Sequence, residues 1–168
     1  MTTIYLAGGC FWGTQHLMRQ VRGVVSTRCG YANGCGEKPT YEEVYTDLTG
    51  YAECIEVVFD EGVVTLATLL KLFFRSIDPL SLNRQGGDVG TRYRTGIYYT
   101  NEALLAEIQD VYEQVQSQYN QPMAVELEPL KNFFPAEEYH QDYLVKNPAG
   151  YCHISLALIR EAKEINQE

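Results

Sequence analysis

The spacing of apolar side chains changes several times along the chain, and each change marks an element. Ile4, Tyr5, Leu6 and Ala7 form a short apolar run stopped by Gly8-Gly9, the signature of a strand entering a turn. Leu17, Met18 and Val21 then recur at helical spacing, which puts Cys10 at or near a helix N-terminus. Residues 24–29 read as a strand and 53–59 as a second. The stretch 31–50 between them, rich in Gly, Asn, Pro and Tyr, reads as a long loop. Leu66, Leu69, Leu70, Phe73, Phe74 and Ile77 make a one-faced helical stripe closed by Asp78-Pro79, followed by a polar, Gly-rich loop over 81–92. Residues 93–99 alternate as a strand, and Asn101 can cap a helix carrying Leu104, Ile108, Val111, Val115 and Tyr119. Met123, Val125 and Leu127 face one way on a last strand.

This order predicts an α+β protein: a ferredoxin-like two-layer sandwich, with a mixed or antiparallel sheet, helices packed on it and long loops at the active site. With 168 residues and 45% hydrophobic content, the chain is expected to be one domain over 1–168, able to bury a core without disulfides or a metal. A net charge of −9 argues against nucleic acid or an anionic membrane as partner. No run approaches a membrane span and the start lacks a signal-peptide pattern, so the expected location is cytoplasmic. There the cysteines at 10, 29, 35, 54 and 152 stay mostly reduced. None forms Cys-x-x-Cys, and neither a metal site nor a cofactor is expected.

Cys10 is the first candidate for chemistry. Free backbone N–H groups at a helix start favour a thiolate and are expected to lower its pKa. Phe11 and Trp12 put flat apolar surface beside the sulfur, suited to pocketing a small group such as a thioether methyl. The stretch Gly9-Cys10-Phe11-Trp12 also suits a packed core cysteine with two core aromatics. Glu53 shares strand parity with Ile55, Val57 and Phe59, which places a carboxyl at the margin of the apolar face. Desolvation there raises its pKa toward that of a general acid, although a solvated strand-end glutamate fits the parity as well. Tyr31, Tyr41, Tyr45, Tyr51 and Tyr93 lie in or beside the loops and can donate to a polar substrate oxygen, or simply pack. His16, His140 and His153 read as surface or loop residues.

Gly9-Cys10-Phe11-Trp12-Gly13, Gly30-Tyr31-Ala32-Asn33-Gly34, Pro39-Thr40-Tyr41, Thr49-Gly50-Tyr51-Ala52-Glu53, Asn83-Arg84-Gln85-Gly86-Gly87-Asp88-Val89-Gly90, Tyr93-Arg94 and Glu138-Tyr139-His140-Gln141 occur in this order. Over about residues 3–153 the chain thereby resembles the peptide methionine sulfoxide reductase A family. The resemblance implies that Cys10 is a nucleophile attacking the sulfur of a methionine S-sulfoxide, free or in peptides. Phe11 and Trp12 would hold the methyl, and Glu53 would protonate the oxygen. It further implies that Tyr41 and Tyr93 bind that oxygen and that Asp88 helps orient the substrate. The product on the enzyme would be a Cys10 sulfenic acid. Cys152 matches a position where some members carry a resolving cysteine, so a Cys10–Cys152 disulfide reduced by thioredoxin is implied, with Cys35 or an external thiol reductant as competitors. Cys29 and Cys54 are expected to be structural. Tyr51, Lys38, Phe74 and Ile77 depart from the family pattern without removing a reacting group. A thiol peroxidase, a Cys-His hydrolase and a module that only binds oxidised methionine are the readings from other classes.

Overall fold

The computed structural model describes residues 1–165; the last three residues of the expected 1–168 domain lie outside the described residues. Strand β1 (Thr2–Gly8) leads through the Gly9 turn into α1 (Phe11–Arg19), and β2 (Val24–Ala32) returns. A short helix α2 (Tyr41–Tyr45) precedes β3 (Ala52–Phe59), which is followed by α3 (Leu66–Arg75). A small hairpin of β4 (Arg84–Gln85) and β5 (Asp88–Val89) then leads to β6 (Thr95–Tyr99) and α4 (Leu105–Gln116). The chain closes with β7 (Glu126–Pro129), β8 (Phe133–Pro135), α5 (Tyr143–Lys146) and α6 (Leu156–Glu164).

The result is a mixed α+β fold around a six-stranded sheet ordered β7-β6-β1-β3-β2-β8. Neighbours run antiparallel except β6 and β7, which are parallel. Strand parity sorts the side chains. Leu6, Ile55, Val57, Cys29 and Ile97 join the α1 and α3 residues Leu17, Met18, Leu69, Leu70 and Phe73 in the main core, whereas Ala7, Ala32, Ala52, Cys54 and Tyr98 form a thin cluster on the opposite face.

Several elements differ from the sequence expectations, each for a visible reason. The stretch 31–50 is not a plain loop: β2 runs on to Ala32, and Thr40 with Glu43 forms a reciprocal capping box that starts α2. The polar stretch 81–92 holds the β4–β5 hairpin, anchored because the Gln85 side chain accepts from Asp78 N (2.8 Å) and donates to Asp78 O (3.0 Å). Tyr93 belongs to a 3-10 turn, Thr91–Tyr93, whose start is held by the Asp47 carboxylate, so the strand begins only at Thr95. Asn101 caps a 3-10 turn rather than α4 itself. Met123 and Val125 are buried but precede β7. The Gln116 side chain takes Met123 N at 2.8 Å and Pro79 O takes Ala124 N at 2.7 Å, which diverts that backbone from the sheet. β8, α5 and α6 had no counterpart in the periodicity.

Candidate active site

The site is built where β1 ends. Gly9, at φ +84°, turns the chain sharply, and a Cβ there would come within 2.9 Å of Gln85. Cys10 follows as the residue preceding α1, only 8% exposed, where the backbone N–H groups of Trp12 and Gly13 favour its thiolate. Those N–H groups do pull the thiol pKa down, as expected of a helix start. Burial, followed by the neighbouring Glu53 carboxyl, outweighs them and holds the thiol well above its ordinary value. The expected lowering of this pKa is therefore corrected by the tertiary environment.

Glu53 is 1% exposed and lies on the core face of β3, as its parity predicted. Oε1 accepts from Phe11 N at 3.1 Å, which ties the carboxyl to the same helix end that carries Cys10, while Oε2 is buried without a protein partner. Burial pushes its pKa up to about 8, against the opposing pull of the Phe11 N–H and of Arg92. At neutral pH this favours the protonated carboxyl, with one oxygen available to donate.

The other expected residues gather around this pair. Tyr41 and Tyr93 both feel the charges of Glu53 and Cys10, and Tyr93, 8% exposed, has its pKa pushed up to about 12 by burial and Glu53. Asp88, on β5, presents a buried Oδ2 without a partner and raises the pKa of both Cys10 and Glu53. Trp12 is half-buried, stacked on Tyr143 with ring centroids 3.7 Å apart, and its indole N–H donates to His140 Nδ1 at 3.0 Å. Phe11 sits wholly in the core against Tyr31 and His140.

Cys152 and Cys35 are placed very differently. All five cysteines are free thiols. A Cβ on Gly13 would lie 3.4 Å from Cys152 Sγ, so the C-terminal segment rests on the first turn of α1 beside Cys10. Cys35 is exposed on its loop, and its backbone N–H donates to Thr49 O at 2.8 Å. Cys29 and Cys54 are buried on strands, Cys29 donating to Gln15 Oε1 at 3.0 Å.

One histidine departs from the sequence reading. His140 is 1% exposed and forms the hub of an aromatic cluster: its ring centroid lies 4.4 Å from Tyr41, 5.2 Å from Phe11 and 5.8 Å from Trp12. His153 lies in a loop, as expected, but is only partly exposed, its Nε2 2.9 Å from Gly8 O under the Cys10 turn. Glu137 was not singled out at all. It accepts from Tyr31 OH (2.8 Å) and from Tyr41 N (3.0 Å), which fixes the start of α2. The Glu138-Tyr139-His140-Gln141 motif was the available signal for this cluster.

A sequence model of the family described as peptide methionine sulfoxide reductase matches residues 2–168. This chain belongs to the peptide methionine sulfoxide reductase family. It is 50% identical over 161 residues to the peptide methionine sulfoxide reductase MsrA of Lachnoclostridium phytofermentans, covering 96% of this chain and 97% of that relative. It is also similar to the crystal structure of Mxr1 from Saccharomyces cerevisiae in reduced form, with a TM-score of 0.86, 41% identity and coverage of 92% and 91% of the two chains. Mxr1 solved in complex with Trx2 matches at a TM-score of 0.58 and 31% identity, covering 84% of this chain and 83% of that one. As a family member the chain is an oxidoreductase. Among the described residues no helix is long and apolar enough to cross a membrane.

Proposed function

We propose that this chain reduces methionine S-sulfoxide, free or within peptides, to methionine, with Cys10 as nucleophile and Glu53 as acid. The observation that carries this reading is the buried Glu53 carboxyl, hydrogen-bonded to the helix end that holds the Cys10 thiol, where burial pushes its pKa up. A sulfoxide oxygen leaves readily only when protonated, so an acid near neutrality beside a sulfur nucleophile matches the demand of the reaction. The small fraction of Cys10 present as thiolate attacks the sulfoxide sulfur while Glu53 protonates the oxygen. The oxygen then passes to Cys10, giving a sulfenic acid and methionine. Tyr41 and Tyr93 donate to the substrate oxygen, Trp12 with Phe11 behind it receives the methyl, and Asp88 orients the rest of the substrate.

Cys152 resolves the sulfenic acid: its thiol displaces water to form a Cys10–Cys152 disulfide, which a thioredoxin dithiol reduces by exchange. Its place against the first turn of α1 supports it over Cys35. The Mxr1–Trx2 complex supports thioredoxin as reductant. The single domain spans the chain, and free thiols throughout support a cytoplasmic location. The β1-α1-β2-β3-α3-β6 unit, with antiparallel order β6-β1-β3-β2, supports the ferredoxin-like sandwich as scaffold.

The test is a single-turnover assay with separated epimers of a blocked methionine sulfoxide, followed by mass mapping of the cysteines. One methionine per enzyme from the S epimer alone, with Cys10 joined to Cys152, is the expected result. Cys10→Ser forms none. Methionine release by that variant at the wild-type rate would refute the assignment of the nucleophile.

A further inference from the structure

Arg92 is a charged side chain only 7% exposed, with its Nε buried and unpartnered, and nothing in the reaction above uses it. Its surroundings are specific. Nη1 donates to Asp47 Oδ2 at 2.5 Å and to Tyr45 O at 3.3 Å, while Asp47 Oδ1 takes the Arg92 backbone N–H at 3.0 Å and the Thr91 hydroxyl at 3.2 Å. The guanidinium carbon lies 4.2 Å from the ring centre of Tyr45 and 4.3 Å from that of Tyr93. Tyr45 in turn touches Tyr41, with centroids 5.9 Å apart. The backbone is shaped to allow this. Asp47 adopts φ +60°, a conformation that disfavours side chains, and a Cβ on Gly90 would lie 2.5 Å from Asp47 Oδ2 and 2.7 Å from Arg92 Nη1.

We propose that Arg92, gripped by Asp47, is a positioning residue that clasps the segments carrying Tyr41 and Tyr93 and supplies a fixed cation on the turn packed against β3, the strand of Glu53. The inference rests on the proposed roles of Glu53 and Tyr93. A guanidinium over an aromatic face holds the ring in place. A cation on that side favours ionised Glu53, limiting how far burial raises its pKa, and lowers that of Tyr93, making the phenol a better donor. The groups acting on Glu53 are the Phe11 N–H and Arg92 on one side of the balance and the anions Asp88 and Asp47 on the other. Cys10, Cys29, Tyr31, Tyr41 and Tyr93 respond to its charge in turn.

The experiment follows the infrared band of the protonated Glu53 carboxyl, identified by its loss in Glu53→Gln, against pH, together with the single-turnover rate. Arg92→Gln is expected to move the midpoint upward by about one pH unit, the low end of what a nearby opposite charge does. It is expected to slow reduction at pH 7 about tenfold, less than the roughly 10²–10³-fold loss on deleting a donor outright. Arg92→Lys keeps the charge without the planar group, so its midpoint stays near wild type while the rate falls severalfold. A slowed Arg92→Gln enzyme with an unmoved midpoint has lost only structure and overturns the inference. If that variant does not fold, Arg92→Lys at the full wild-type rate overturns it instead. Failure of the wild-type enzyme to form methionine would refute the proposed function itself, a distinct result.

Discussion

Replacing Glu53 by glutamine separates what this residue does for the reaction from what it does to stability. Glutamine keeps the shape and still accepts the Phe11 N–H, but it cannot ionise or deliver a proton. The folded carboxyl titrates at about 8 against an ordinary value of 4.5, so the native state holds its proton where the unfolded chain has lost it. Stability from this group is thus fully present below about pH 4.5 and lost as pH rises through about 8. From the linkage relation the loss amounts to about 4 kcal/mol between pH 5 and pH 9, undiscounted because the group is buried. Glu53→Gln lacks this dependence. Relative to wild type it is expected to gain about 4 kcal/mol over that range, a shift in urea midpoint of about 2 M at a slope near 2 kcal/mol per M. The same variant is expected to reduce sulfoxide about 10²–10⁴-fold more slowly in a single turnover, and wild-type reduction rises with pH only up to about 8, beyond which loss of the acid offsets the growing thiolate fraction of Cys10. Urea melts of the two proteins at pH 5, 7 and 9 decide the matter. Parallel pH dependence would refute the buried, protonated carboxyl, and an unchanged single-turnover rate would mean that another group donates.

Cys152→Ser is expected to spare the first turnover and abolish thioredoxin-driven cycling, read as methionine per enzyme with and without reductant; sustained cycling would point to Cys35 or an external thiol. Gln141→Ala removes the side chain that accepts from Cys29 N (2.8 Å) and donates to Cys29 O (2.9 Å) and Ala136 O (3.1 Å), and should cost about 2–3 kcal/mol in a urea melt. A loss near zero would mean that water replaces it fully. Gly13→Ala adds a methyl 3.0 Å from the His153 ring and 3.4 Å from Cys152 Sγ. It should slow formation of the Cys10–Cys152 disulfide severalfold, measured by thiol loss after a sulfoxide pulse, while leaving the first methionine release intact.

Local pattern was enough for the elements whose side chains repeat with a single period. The α3 stripe from Leu66 to Phe74, the parity of β3 and the turn carrying Cys10 were all legible, because each depends on neighbours within a few residues. The identities of Cys10, Glu53, Tyr41, Tyr93 and Asp88 as candidates were legible too, through motifs spread along the chain. What the sequence could not disclose was set by partners far away in it. The Asp47 carboxylate turned Thr91–Tyr93 into a 3-10 turn, and the Gln116 side chain kept Met123 out of the sheet. The pKa of Cys10 moved against the expectation from its helix end, because burial and a carboxyl from β3 outweigh two backbone N–H groups. His140 and His153, polar and isolated in the sequence, became buried and half-buried where Trp12 and Gly8 offered them hydrogen-bond partners 128 and 145 residues away. Periodicity and motifs therefore named the candidate reacting residues. The proton affinities that equip them for chemistry came from desolvation and long-range contacts, which exist only in the folded chain.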